Sequence, residues 1–189
     1  YFSNMTTLEK KLGLGAQIAD IERIRRILAQ EKLILIGHSF GGFIASLYAA
    51  EFPERVEKLV LIAPAGVLSA PDEDRDLFKN ARKALPDTDH AAYDALVTEY
   101  FDFGNIFSKS EADLVNLNQR VGHYLLKAFG DNVESDKGPR PGGWGVFAIY
   151  FSAGQSPEYG PALQHIVAPT LIVQGADDHL ALAGSQSYQ

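Results

Sequence analysis

The sequence predicts an α/β fold, a mostly parallel and doubly wound sheet, and three stretches predict it. Residues 33–37, LILIG, are apolar or glycine without polar alternation, the pattern of a strand buried on both faces of a parallel sheet. Residues 37–41, GHSFG, turn from that strand into a helix-like run whose Gly42, Ala45 and Ala49 let it lie close to a sheet. A second apolar strand, 58–62, follows after the Phe52-Pro53-Glu54-Arg55 turn, and a third, 170–174, arrives far downstream. Strands that alternate with helices build parallel sheets.

Taken in order, residues 1–14 are polar and glycine-punctuated, a surface loop. Residues 16–30 predict an amphipathic helix with Ile18, Ile21, Ile24 and Leu28 at three- and four-residue spacing. Asp20, Glu22, Arg23, Arg25 and Arg26 take its other face, which reads as solvated, with Glu22 and Arg26 spaced for an i,i+4 pair. The strand 33–37 then enters the turn that holds Ser39. Glycines at 37 and 41 remove side chains that would collide in so tight a turn. The turn lifts the Ser39 hydroxyl above the sheet edge, and the helix N-terminus behind it offers N–H groups and partial positive charge to an anion. The bland alternative is a serine that only caps the following helix.

After the strand at 58–62, the run Ala63-Pro64-Ala65-Gly66-Val67 opens a shift in composition. Residues 68–160 hold 15 acidic and 9 basic residues and therefore most of the chain's net charge of −7. Helices are predicted at 73–85, at 89–101 and at 109–129. In the last, Ser108 and Glu111 form a capping box, Leu114, Leu117, Val121, Tyr124, Leu125 and Ala128 form the stripe, and Gly130 stops the helix. Residues 132–145, with Pro139, Pro141, Gly142 and Gly143, read as a loop, and 146–151 fits helix or strand equally. The organisation is thus a core of 1–67 with 161–189, interrupted by a helical insertion, 68–160. The core resumes with a short helix at 161–166 and the strand 170–174, which ends in Gly175-Ala176-Asp177-Asp178.

Composition narrows the function classes. A hydrophobic content of 46% and 22% charged residues are those of a soluble globular protein. No apolar run reaches the roughly 18–20 residues of a membrane span, so no membrane partner is expected. The acidic balance opposes a nucleic-acid partner. Zero cysteines exclude thiol nucleophiles and thiolate metal sites and fit a cytoplasmic location. The five histidines show no H-x-x-x-H or H-E-x-x-H spacing, so neither metal nor cofactor is expected.

GHSFGGFIASLYAAEFPERVEKLVLIAP resembles the strand, turn, helix and next strand of the α/β-hydrolase superfamily, whose nucleophile elbow is Gly-x-Ser-x-Gly between strand and helix. With its helical insertion the chain is most similar to the proline iminopeptidase (prolyl aminopeptidase) group. The resemblance covers about residues 16–66 and 161–182. It implies an α/β-hydrolase fold with the insertion as a cap, Ser39 as nucleophile and the Phe40 N–H as one oxyanion donor. The family's acid stands in a G-x-x-D loop after a strand, which carries it onto Asp178, with Asp177 as the alternative; both carboxylates also suit a plain turn.

The family's order of Ser, acid, His leaves the base unassigned within the chain. His38 lies inside the elbow, His90 and His123 lie in the insertion, His165 lies at the wrong end of the last strand, and His179 adjoins the acid. The chain starts 32 residues before the elbow strand and ends 11 after Asp178, so the resemblance implies earlier strands, a second oxyanion loop and a late histidine outside it. Proline iminopeptidases hold a free amino terminus with cap carboxylates, for which Glu99 and Asp102 are the candidates beside the aromatics Tyr93, Tyr100, Phe101, Phe103, Phe107 and Trp144; Trp144 is the candidate for the apolar side of the substrate. Three functions stay open, each with a small-molecule or short-peptide ligand. They are an aminopeptidase that releases N-terminal proline, a carboxylesterase, lactonase or carbon–carbon bond hydrolase with the same triad, and a non-catalytic ligand-binding member of the fold.

Overall fold

Apolar residues of three short strands meet in one parallel sheet in the computed structural model, which describes residues 13–66, 76–130, 142–153, 158–178, 180 and 182–189. Most of the expected N-terminal loop, the Pro/Gly-rich segment 131–141 and His179 lie outside the described residues. The chain divides into two compact units, residues 1–75 with 148–189, and residues 76–147.

In the first unit, α1 (Leu14–Ile27) leads to β1 (Leu33–His38), α2 (Phe40–Glu51), a 3-10 turn at Pro53–Arg55 and β2 (Val56–Ile62). The sheet order is β1-β2-β3, with β3 at Thr170–Val173, all parallel. Register places Leu35 beside Leu59, and Leu61 beside both Gly37 and Ile172. Residues paired across parallel strands share a face. On this face Ala45, Tyr48 and Ala49 of α2 pack with Val56, Leu59 and Leu61, and α1 adds Ile18 and Ile21.

The opposite face differs from the expectation. Strand β1 alternates in exposure instead of being buried on both sides. Ile34, Ile36, Ile62, Leu171 and Val173 are all exposed, Ile36 at 69%. Both helices beside β1 cover one side only, so its apolar run is covered on one face among the described residues.

Helix α1 also turns a different stripe inward. Leu14, Glu22 and Arg25 are buried, whereas Ile24 and Leu28 are exposed. Positions 14, 18, 21, 22 and 25 share one side of a 3.6-residue helix, and two of the five are charged. Burial of charge is tolerable only when it is paired and hydrogen-bonded. Arg25 donates from Nε and Nη2 to the Glu22 carboxylate at 2.8 Å each, Arg26 Nε donates at 2.6 Å, and the Tyr48 hydroxyl of α2 donates at 2.9 Å. A further Arg25 N–H reaches the carbonyls of Gln30 and, at 3.3 Å, Glu31. Hydrogen bonds from Arg25 and then Arg26 hold the Glu22 carboxyl far below the usual carboxylate range. Burial and then Glu22 push the Tyr48 phenol up to about 12. The charges expected on a solvated face therefore join α1, α2 and the turn before β1.

The second unit is helical. It comprises α3 (Leu77–Ala84), α4 (Asp87–Tyr100), the short α5 (Phe103–Ile106), α6 (Glu111–Ala128) and the start of α7 (Trp144–Ala153), which continues into the first unit. Asp76 caps α3 by accepting from the N–H groups of Phe78 and Lys79. The capping box of α6 is Ser110 with Asp113, two residues later than expected; the Ser108 hydroxyl donates to Asn105 O at 2.7 Å, and Glu111 is engaged elsewhere. Its carboxylate accepts from the N–H groups of Gly143 and Trp144, at 3.0 and 2.9 Å, where α7 begins. Leu114, Leu117 and Val121 form the expected stripe, and Gly130 (φ 83°) terminates the helix. The ambiguous run 146–151 is helical, inside α7.

The first unit closes with α8 (Gly160–Leu163), β3 and α9 (Leu182–Gln186). Gly66 and Gly184 meet backbone to backbone, since a Cβ on Gly66 would stand 2.4 Å from the Gly184 Cα. The Tyr188 hydroxyl donates to the Ala65 carbonyl at 2.8 Å, which laces the end of the chain to the segment after β2.

Candidate active site at the carboxyl edge of the sheet

Strand β1 ends at His38, and the next residue breaks the backbone pattern. Ser39 has φ 53° and ψ −124°, a conformation that an L residue adopts only under strain, and it is exposed. Its backbone is held from three sides. The Ser39 N–H donates to Ile62 O at 3.0 Å, and its carbonyl accepts from Gly42 N at 2.9 Å and Ala65 N at 3.0 Å. The side chain makes no capping hydrogen bond, which removes the helix-cap alternative.

Glycine requirements fall differently from the expectation. A Cβ on Gly37 would stand 2.5 Å from Gly41 O and 2.6 Å from Gly42 Cα. One on Gly42 would stand 3.0 Å from the Pro64 Cβ, while one on Gly41 would meet nothing within 4 Å. Gly37 and Gly42 thus make the tight turn possible, and Gly41 is not sterically required. Phe40 opens α2, so its N–H is a first-turn donor that no helical carbonyl takes up. Its ring is fixed edge-on against Phe43 at 5.3 Å and Tyr150 at 6.3 Å.

Two strands away, the loop after β3 reaches the same edge. The Ala63 N–H donates to Val173 O at 2.8 Å, so β3 ends level with β2, as β1 does through Ser39. With strands about 4.8 Å apart, the ends of β1 and β3 are about 10 Å apart across β2. The turn from Gly175 closes through the Asp178 N–H at 3.2 Å. Asp178 is half-buried and Asp177 exposed. The Asp178 carboxylate accepts from the Gln174 amide at 2.7 Å and from the Leu180 N–H at 3.3 Å. Gln174 was not foreseen; its signal in the sequence is a long amide side chain immediately after an apolar strand.

The remaining sequence candidates belong to the helical unit and have structural engagements. Glu99 is held by Lys109 at 3.1 Å and Arg120 at 3.0 Å, and Lys109 first, then Arg120, lower its carboxyl below the ordinary range. Asp102 caps α5 and accepts from the Asn105 side-chain amide at 2.6 Å. Trp144 stacks on Phe107 with ring centroids 6.0 Å apart. Tyr93 and Tyr100 are buried core, whereas Phe101, Phe103 and Phe107 are exposed.

Of the histidines, His90 contacts Leu85 O at 3.1 Å, His123 packs edge-on against Tyr124, and His165 lies in the turn that leads into β3, at the edge away from Asp178. Among the described residues no cluster of three His, Asp or Glu side chains is arranged to hold a metal ion, and no helix is long and apolar enough to cross a membrane.

A strand, strained serine turn and helix, with an acidic loop two strands along the same edge, define an α/β-hydrolase architecture. The chain belongs to the alpha/beta hydrolase fold family, whose model matches residues 6–189. It is similar to the serine hydrolase-like protein of Danio rerio, 38% identical over 82 residues, which are 43% of this chain and 24% of that one. It is also similar to the human 1-acylglycerol-3-phosphate O-acyltransferase ABHD5, 42% identical over 55 residues, 29% of this chain and 16% of that one. Among solved structures, VinJ superposes with a TM-score of 0.57 at 16% identity, over 95% of this chain and 62% of that one. The esterase from Exiguobacterium antarcticum gives 0.52 at 18% identity, with the same coverage. The matches span less than two-thirds of each of these relatives' length.

Proposed function

We propose that this protein is a serine hydrolase that cleaves a carboxylic ester through an acyl-enzyme on Ser39. The observation that carries the reading is the Ser39 backbone, strained at φ 53° on an exposed turn that opens a helix at the carboxyl edge of the sheet. In the reaction, Ser39 Oγ attacks the carbonyl carbon while a histidine takes its proton. The Phe40 N–H donates to the oxyanion, and the alkoxide leaves with the proton from the imidazolium. Water then hydrolyses the acyl-enzyme by the same steps. Asp178 is assigned the role of holding that histidine and stabilising its cation. None of the four described histidines is assigned as the base. Residues 68–160 are assigned the role of a substrate-selecting cap.

The ester reading is preferred to release of N-terminal proline because both carboxylates expected to hold an amine are engaged, Glu99 by two cations and Asp102 by a helix N-terminus. Names among the relatives, a serine hydrolase-like protein and an O-acyltransferase, accord with acyl transfer at a carbonyl. The aminopeptidase reading keeps the acidity of residues 68–160 in its favour. The test is hydrolysis of p-nitrophenyl butyrate and of proline p-nitroanilide by the protein and by Ser39→Ala. Ester turnover that vanishes in Ser39→Ala supports the proposal. Turnover of the anilide alone restores the aminopeptidase, and turnover unchanged in Ser39→Ala removes the serine mechanism.

A further inference from the structure

We infer that Gln174 is a positioning residue for Asp178, working through a hydrogen-bond chain that starts at the buried Ser185. The inference rests on the serine-hydrolase reading above for its functional meaning, and on side-chain geometry for its existence.

Gln174 is the first residue beyond β3, where the strand has delivered four residues, Thr170–Val173, to the sheet. Its amide lies between two close partners, with the Gly175 carbonyl as a longer acceptor of Nε2 at 3.5 Å. Nε2 donates to Asp178 Oδ2 at 2.7 Å, and Oε1 accepts from the Ser185 hydroxyl. Ser185 is 2% exposed and sits in α9, and Pro64 O, at 3.4 Å, is the more distant alternative acceptor for its hydroxyl.

The chain has only one consistent direction. An ionised carboxylate accepts and cannot donate, so the NH2 end of the amide must face Asp178. The carbonyl end then faces Ser185, whose single hydroxyl hydrogen must point at it. The amide cannot turn over without placing two acceptors against each other at Asp178, so its orientation is fixed from both ends.

The consequence falls on the carboxylate. Aspartate has a broad terminal torsion, and an unrestrained carboxylate samples a range of planes. Here Oδ2 is tied to Gln174 and Oδ1 to the Leu180 N–H at 3.3 Å, so that plane is set. A triad acid is useful only if it presents an oxygen to its histidine in one orientation, and small misplacements of supporting groups cost on the order of tenfold to a hundredfold in rate. Ser185 anchors the chain from a helix laced to the segment after β2, the segment that also donates a hydrogen bond to the Ser39 carbonyl. The supports of the nucleophile and of the acid thus share one origin.

The test uses Gln174→Met, similar in size but without the amide, in the full chain and in an Asp178→Asn background. Turnover of p-nitrophenyl butyrate should lose on the order of tenfold in kcat with KM within about twofold, and the same change in Asp178→Asn should cost nothing further, because the residues act as a unit. Equal losses in both backgrounds, or no loss in the first, overturn the inference. A readout independent of turnover is the Gln174 side-chain amide in a nitrogen–proton correlation spectrum. A shifted, slowly exchanging pair that reverts to free-amide positions in Asp178→Ala supports the contact, and a free-amide pair in the unaltered protein overturns it. Failure of the parent reading looks different, with wild-type turnover in Ser39→Ala while the amide signature persists.

Discussion

Replacing Ser39 by glycine should make the protein more stable as it destroys the proposed nucleophile, and the comparison with alanine isolates the reason. At φ 53° and ψ −124° the residue occupies backbone space that suits glycine, where a Cβ costs about 1–3 kcal/mol. Glycine also gives the unfolded chain more freedom, which returns about 0.4–1 kcal/mol. The backbone hydrogen bonds of Ser39, with Ile62, Gly42, Phe43 and Ala65, use main-chain atoms and survive either substitution. The net expectation for Ser39→Gly is a gain of about 0.5–2 kcal/mol. Ser39→Ala keeps the Cβ and therefore the strain, and should stay within about 0.5 kcal/mol of the parent. Urea denaturation followed by fluorescence reads both variants against the parent, and ester hydrolysis confirms that each is inactive. A Ser39→Gly protein no more stable than Ser39→Ala would refute the claim that the turn stores strain.

Gly37→Ala should lower stability by about 3 kcal/mol or more, because the new Cβ would meet only backbone atoms, which cannot swing aside. Gly41→Ala, with open space around it and a helical position to favour alanine, should be neutral or stabilising by up to about 1 kcal/mol, and the same urea assay compares the pair. A third expectation concerns acid. The folded-state pKa of Glu22 is lowered, so its contribution is present above the unfolded carboxylate value of about 4.3 and is lost as pH falls toward the folded value. Subtracting the urea-midpoint profile of Glu22→Gln from that of the parent between pH 6 and 2 should leave a curve that falls only below about pH 4.3, and a flat difference would contradict it.

The turn that carries Ser39 was legible because its spelling has steric causes. A strand, a serine flanked by glycines and a helix of small residues can satisfy one backbone path only. Even so, the pattern named Gly41 where the space constraint falls on Gly42, since which atom lies opposite a glycine depends on Pro64, 22 residues on. Helix α1 was legible as a helix but not in its facing. Its period admits more than one inward stripe, and the choice was decided by Tyr48, which offers a hydroxyl to Glu22 and makes burial of a carboxylate tolerable. The Gln174–Asp178 contact could not be read from the chain, because the Ser185 that directs it arrives from a separate helix. Charge and the nearby aromatics make Glu99 and Asp102 stand out in the sequence, but neither signal reveals that Lys109, Arg120 and a helix end already claim them.

The contact of Gly66 with Gly184 bears on how this chain can change over evolutionary time. Gly66 lies on the stretch by which the polypeptide leaves β2, within the sheet-bearing unit, and it is pinned by backbone contact with Gly184 and by Tyr188, which binds the adjacent Ala65. The return is pinned as well, since the Ser152 hydroxyl accepts from the Leu14 N–H at 2.7 Å. Everything between is, in polymer terms, a loop with both ends anchored, and doubling or halving such a loop alters its closure entropy by only about 0.6 kcal/mol. Helices can therefore be added to, removed from or exchanged within that stretch with little change in its closure entropy.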